Sequence, residues 1–187
     1  MSYKNVQLFK VSFIGFMLLL TGGLLAACSN ADASDPNLGI VEKVLKLQFN
    51  SPDEKMMELL LNPDYTKVVD GKEVNEEFDK YITEVYGDYF TEDYLVPFFS
   101  VSGLVYPTMA EFSGYELNLE DTVVEQPEKD SNRYTFTATV RYSKNGEKDK
   151  TANVSGVVLF STKEKGKIGK FEYGEDNGLS KELSSVE

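Results

Sequence analysis

The hydrophobic period changes once along this chain, near Tyr115, and that change limits the fold more than any other feature. Before it, Ile40, Val41, Val44 and Leu45 share a helical face with Gln48, widened by Leu47 and Phe49. Phe78, Tyr81, Ile82 and Val85 form a second stripe, at i, i+3, i+4 and i+7, that ends near Gly87. Beyond Tyr115 the period is two. Tyr115, Leu117 and Leu119 alternate with polar residues, as do Tyr134, Phe136, Ala138, Val140 and Tyr142. Thr135, Thr137, Thr139 and Arg141 then occupy the opposite face of that second strand. A third strand is expected over about 148–161 and a fourth over about 167–173. Helices first and antiparallel strands after predict an α+β domain, with N-terminal helices packed on a curved four-stranded antiparallel sheet.

Local signals refine this order. Ser51-Pro52-Asp53-Glu54 reads as a helix start with serine as N-cap, proline at the first helical position and glutamate closing a capping box. That helix carries Met56, Met57, Leu60 and Leu61, and Asn62-Pro63 stops it. A last short helix is expected from Thr91, limited by Pro97. At Lys144-Asn145-Gly146-Glu147 the dipeptide Asn-Gly suggests a two-residue hairpin, but that register would set apolar faces against polar ones. A three-residue loop, with Ser143 paired to Glu147 and Gly146 left-handed in a bulge, restores the parity. It places Ala138 opposite Ala152 and Phe136 opposite Val154. Val157 and Leu159 give the second face of the third strand an apolar character, so part of that face is expected to be covered.

The N-terminus carries an address. Lys4 and Lys10 precede an apolar run from Val11 to Leu20, and Leu25-Ala26-Ala27-Cys28 follows as a lipobox. Cys28 is the expected lipidation site, with cleavage between Ala27 and Cys28 and acyl chains holding the protein to the membrane. An uncleaved anchor is the competing reading, but Val11–Ala27 falls short of the ~20 residues a spanning helix needs and Gly22-Gly23 interrupts it. The expected organisation is a signal peptide over 1–27, a lipidated tether over 28–37, one α+β domain over 38–173 and a polar, frayed tail over 174–187. Residues 29–37 reach about 30 Å at full extension, which keeps the folded body near the extracytoplasmic face of the membrane. Cys28 is the only cysteine, so no intramolecular disulfide supports the fold.

Charge narrows the partners. The chain carries −12 at pH 7, and losing residues 1–27 removes two lysines and no acids, giving −14. A surface that acidic opposes nucleic acid, whose affinity rests on cationic contacts to phosphate, and opposes spreading on anionic lipid. Residues 141–170 are the exception, with eight basic and three acidic side chains. Their lysines gather as Lys144, Lys148 and Lys150, then as Lys163, Lys165 and Lys167, at hairpin ends that one strand separates. A single anion-binding patch is therefore not expected there.

Composition removes many mechanisms. With no histidine, a Ser-His-Asp triad, a Cys-His pair and His-Glu-x-x-His are impossible. Cys28 is committed to lipid, and no glycine-rich phosphate loop or Ser-x-x-Lys follows it. Glu175-Asp176-Asn177-Gly178 lacks the ligand spacing and closing glutamate of a calcium loop. No cofactor and no metal is expected. Tyr86, Tyr89, Phe90, Tyr94, Phe98 and Phe99 crowd into one stretch, either as core between helices and sheet or as the wall of a pocket. Asp79, Tyr81 and Tyr94 are the expected rim of such a pocket.

The order of elements resembles the nuclear transport factor 2-like superfamily. Asn62-Pro63-Asp64-Tyr65-Thr66 and Phe78-Asp79-Lys80-Tyr81-Ile82 also look like stretches of small Gram-positive surface lipoproteins of that class. The resemblance covers roughly 38–173 and implies a cone whose helices and sheet enclose a cavity. Some relatives use that cavity for isomerase, dehydratase or cyclase chemistry, and others only bind. No catalytic motif of the enzymes maps onto this chain residue by residue. The expectation is a lipid-anchored, non-catalytic module that binds a protein, a peptide or a small apolar ligand. Its alternatives are an isomerase- or dehydratase-like enzyme using a buried carboxylate and a tyrosine, and an accessory domain for cell-wall synthesis.

Overall fold

The computed structural model describes residues 35–144 and 146–185, and Asp35–Glu187 form one compact unit with its own core. Helix α1 (Pro36–Phe49) begins where Asp35 caps it, the carboxylate accepting the Asn37 N–H at 3.0 Å. Its buried residues are Val41, Val44, Leu45, Gln48 and Phe49, the face that the spacing predicts. The folded body thus starts at Asp35 rather than Leu38. Asp35 and Asn37 are held in place because both bond the Tyr134 hydroxyl.

Helix α2 (Glu54–Leu61) is capped by Asp53, not by Ser51. The Asp53 carboxylate accepts the Met56 N–H at 2.9 Å, while Ser51 pairs through its backbone with Leu117 in an isolated bridge. Aspartate is as good an N-cap as serine, and the bridge to the sheet decides which residue takes the role. A 3₁₀ turn (Pro63–Tyr65) leads into a hairpin of β1 (Lys67–Val69) and β2 (Lys72–Val74), absent from the sequence reading. Its signal was present: Asp70-Gly71, both at positive φ (52° and 77°), is the dipeptide that a tight hairpin demands. Helix α3 (Glu76–Tyr86) buries Phe78, Ile82 and Tyr86 and is capped by Asn75. The Lys167 ammonium donates to the Gly87 carbonyl just past its C-terminus.

Helix α4 (Glu92–Phe98) contains Pro97 and ends one residue later, as expected, but the chain then stays helical. A π turn (Phe99–Gly103) passes directly into α5 (Val105–Ser113), which Gly114 closes in the left-handed conformation. A Cβ at Gly103 would stand 2.7 Å from the Phe98 ring, so only glycine admits this close approach. The 22-residue stretch Glu92–Ser113 has the apolar composition of a membrane span; Phe98, Phe99, Tyr106 and Ala110 put part of that character into the core, while Val96, Val101 and Phe112 stay exposed.

Strands β3 (Tyr115–Glu125), β4 (Arg133–Lys144), β5 (Lys150–Phe160) and β6 (Ile168–Tyr173) form an antiparallel meander in chain order. α1 and α5 pack on β3, and α4 packs on β6. The inward face of β4 is Tyr134, Phe136, Ala138, Val140 and Tyr142, all buried. Among the described residues no helix packs on the outward face of the sheet, where Val157 and Leu159 are half-buried.

The β4–β5 register corrects the expected loop. Tyr142 pairs with Lys150, Ala138 with Val154 and Phe136 with Gly156, two residues from the predicted pairing. The parity is as reasoned, so every side chain keeps its face. Gly146 is left-handed (φ 83°) inside a turn closed by Glu147 N–H to Lys144 O, and Lys148 and Asp149 lengthen the connection. The observed pairing fits the glycine: a Cβ at position 156 would stand 2.3 Å from the Phe136 ring and 2.4 Å from the Glu172 carbonyl oxygen, so this register admits no other residue there.

The C-terminal tail is also corrected. Helix α6 (Leu179–Leu183) buries Leu179 and Leu183, and Glu175 extends the β5–β6 ladder through Ser155. Periodicity over only five residues is too short a signal to read.

Candidate functional site

Apart from Tyr89, the crowded aromatic residues fill the interior among the described residues rather than line a pocket. Phe90 stacks on Phe98 with centroids 4.5 Å apart, and Phe98 meets Phe99 at 5.2 Å and Phe171 at 5.3 Å. The chain of rings continues through Phe136, Tyr173 and Tyr106 to Phe49. Edge-to-face and tilted pairs of this kind add to the burial of each ring. The polar tips are satisfied within the same layer. Gln48, fully buried on α1, donates to the Tyr86 hydroxyl at 3.0 Å and accepts from the Tyr173 hydroxyl at 3.2 Å. Burial pushes both phenols up, with the Gln48 bond opposing the shift at Tyr86.

The hollows open at the surface. One, of about 400 Å³, lies between the C-terminal half of α1 and the end of α3. Its apolar lining is Leu47, Val85 and Tyr89, and Lys43 and Lys46 stand beside it on the exposed side of α1. Asn50 and Asp53 complete it at the junction of α1 and α2. A second hollow, of about 440 Å³, is bounded by Met109, Phe112, Lys144 and Leu183, with Phe112 74% exposed. Its hydroxyls already donate locally: Thr108 and Ser113 to the carbonyls of Leu104 and Met109, and Ser184 and Ser185 to that of Lys181. That leaves the α1–α3 hollow as the richer in groups able to hold a ligand.

Hydrogen bonding fixes what each polar group there offers. Asn50 accepts the Leu119 N–H at 3.1 Å through its side-chain oxygen, so its amide hydrogens remain as donors. Asp53 is already committed, one oxygen to the Met56 N–H and the other to the Tyr81 hydroxyl at 2.6 Å. Desolvation and that bond to Asp53 both push the Tyr81 phenol up, so it stays a neutral donor. Lys43 and Lys46 have no carboxylate within ion-pair distance among the described residues. The Tyr89 hydroxyl, half-buried, has no protein partner among them either. The hollow therefore offers cations and neutral donors around an apolar floor, and its one carboxylate is occupied.

The residues expected at a pocket rim separate. Tyr81 reaches this hollow through Asp53. Tyr94 is half-buried on α4, where its hydroxyl donates to the Phe171 carbonyl and accepts the Phe171 N–H, at 3.1 and 3.0 Å, stapling α4 to β6. Asp79 is exposed on the other side of α3, and desolvation raises its pKa. Leu25, Ala26, Ala27 and Cys28 lie outside the described residues. Sequence reasoning missed Lys43, Lys46, Asn50 and Asp53. Lys43 and Lys46 are spaced i, i+3 beside a stripe of core residues, the one signal available, but a solvated helix face has the same pattern.

The two lysine clusters occupy opposite ends of β5, as their positions imply, with about 35 Å of strand between them. The first is neutralised in part: Lys150 pairs with Glu182 at 2.5 Å, and Arg141 with Asp149 at 3.0 Å. Asp176, within Glu175-Asp176-Asn177-Gly178, organises the tail. It accepts the N–H groups of Gly178 and Ser180 and the Tyr106 hydroxyl. Desolvation opposes ionisation there, but the bonds from Ser180, Gly178 and Tyr106 prevail and lower its pKa. Comparison of the chain with protein-family models, with curated proteins and with solved structures finds no match.

Proposed function

We propose that this protein is a lipid-anchored binding or interaction module on the extracytoplasmic face of a bacterial membrane, and that it does not catalyse a reaction. The observation that carries the non-catalytic part is the closed ring interior, beside a surface hollow whose single carboxylate, Asp53, has both oxygens engaged. General acid–base chemistry needs a group whose pKa sits near the working pH and which is free to exchange a proton. The lipobox at Leu25-Ala26-Ala27-Cys28 carries the anchoring part, as a signal-peptide lipoprotein with acyl chains, palmitate among them, on Cys28. The order of helices followed by a four-stranded antiparallel meander supports membership of the nuclear transport factor 2-like class. The partners are then the membrane, through Cys28, and a protein, peptide or small apolar ligand, with nucleic acid disfavoured by the net charge of −12.

The enzyme reading retains one specific support, the Tyr81–Asp53 pair, since a carboxylate and a tyrosine are what such chemistry would use. Two measurements decide. Intact mass of protein from the native membrane should show a chain starting at lipidated Cys28, and Cys28→Ser should stall processing or release the protein. Retention of residues 1–27, or an unlipidated Cys28, refutes the anchor. Asp53→Asn keeps an N-cap and the fold. Turnover of a small molecule that this substitution abolishes would establish the enzyme instead.

A further inference from the structure

We infer that the α1–α3 hollow is a site for a single-chain amphipathic anion, its head held by Lys43 and Lys46 and its apolar body lying on Leu47, Val85 and Tyr89. This rests on the binding reading above and names the ligand class. Three independent features converge. The floor is apolar and half-buried, not a fully exposed patch. The two lysines have no carboxylate partner among the described residues, in a chain with 31 acidic and 19 basic side chains. Asn50 and Tyr89 add uncharged donors, and Asn50 is oriented for this by Leu119.

The acceptor side is partly used. Asp53 spends one oxygen on the first turn of α2 and the other on Tyr81. A ligand cation would therefore meet two lysines and one carboxylate whose oxygens each already accept a bond. A neutral apolar ligand would gain nothing from the two exposed ammonium groups. A carboxylate head is matched to both, and charge-assisted bonds are the stronger kind. A hollow of about 400 Å³ falls within the usual range for small-molecule sites. Glu42, Glu120 and Asp121 share the neighbouring hollow with Lys46 and repel an anion on that side, and the attraction of the two lysines weakens as salt screens them.

The test uses residues 29–187, which hold the whole compact unit, and decanoate as the probe. Titration followed by two-dimensional NMR should give saturable shifts at Val85, Tyr89 and the Asn50 side-chain amide. The double variant Lys43→Gln, Lys46→Gln should keep its spectrum and stability and bind decanoate about tenfold more weakly. 1-Decanol should bind the unaltered protein more weakly by a similar factor, and acetate should cause no saturable shift. Equal binding of decanoate and 1-decanol, binding indifferent to the lysines, shifts confined to Phe112 and Leu183, or no saturable shift would each overturn the proposal. None of those results would touch the anchored-module reading, which the mass of Cys28 and the turnover assay decide separately.

Discussion

Two regions of the helical layer use aromatic and apolar residues to opposite ends. Where α4 and the π turn meet the sheet, rings pack against rings, and the hollow on this side lies farther along, at the end of α5. Between α1 and α3, only one edge of each helix turns inward, and Leu47, Val85 and Tyr89 stop half-buried at a hollow. The difference is one of support. Phe98 is met from the sheet side by Phe171 and from its own chain by Phe90 and Phe99, and it is fully buried. Val85 has no such backing. Crowded rings in a sequence thus mark where a core closes, and a ligand-sized opening is found where the rings thin out.

The largest effect that tests this contrast is at Phe98. Phe98→Ala removes a ring with neighbours on several sides, and the cost should be about 3–5 kcal/mol in urea unfolding. A loss below about 1 kcal/mol would mean that the ring layer is loosely packed and that the interior, not the α1–α3 hollow, is the place to seek a ligand. Next comes the polar seam beneath the two helices. Gln48→Met keeps the shape but strands the Tyr86 and Tyr173 hydroxyls in a buried site, at about 1–3 kcal/mol. In a Tyr173→Phe background the same change should cost less, because one stranded group is gone. Equal costs in both backgrounds would show that the Gln48–Tyr173 bond contributes nothing.

The smallest effect concerns the tail. The pKa of Asp176 is lowered in the folded state, so its stabilisation is present above its ordinary value of 3.8 and is lost as pH falls through the lower, folded value. Acid titration of stability should therefore show a shallower fall below about pH 4 for Asp176→Asn than for the unaltered protein. Parallel curves would place the tail outside the cooperative unit.

Much of this fold was legible because its signals are local and periodic. The stripe Phe78, Tyr81, Ile82 and Val85 marks α3, and the alternation from Tyr134 to Tyr142 marks β4, each over enough residues to fix type and inward face. Short elements were not legible in the same way. The β1–β2 hairpin has three residues per strand and exposes Val68 and Val69, so no alternation advertises it. Pro97 correctly limits α4, but continuation through the π turn depends on Gly103 passing close to Phe98, a contact between residues whose spacing carries no signature.

By itself the sequence determined the class, four strands after helices, with a lone cysteine and no histidine to restrict chemistry. It determined the parity of the β4–β5 pairing too, since alternate residues must share a face. The tertiary structure decided what depends on contact between distant segments. It chose Asp53 over Ser51 as the cap of α2, because Ser51 was drawn into a bridge with Leu117. It set the register two residues from the expected one, with the Phe136 ring over Gly156, where no Cβ would fit. It also brought Lys43 and Lys46 of α1 beside Val85 and Tyr89. Periodicity tells each residue which way to face, but which segment it meets there is settled only when the chain packs.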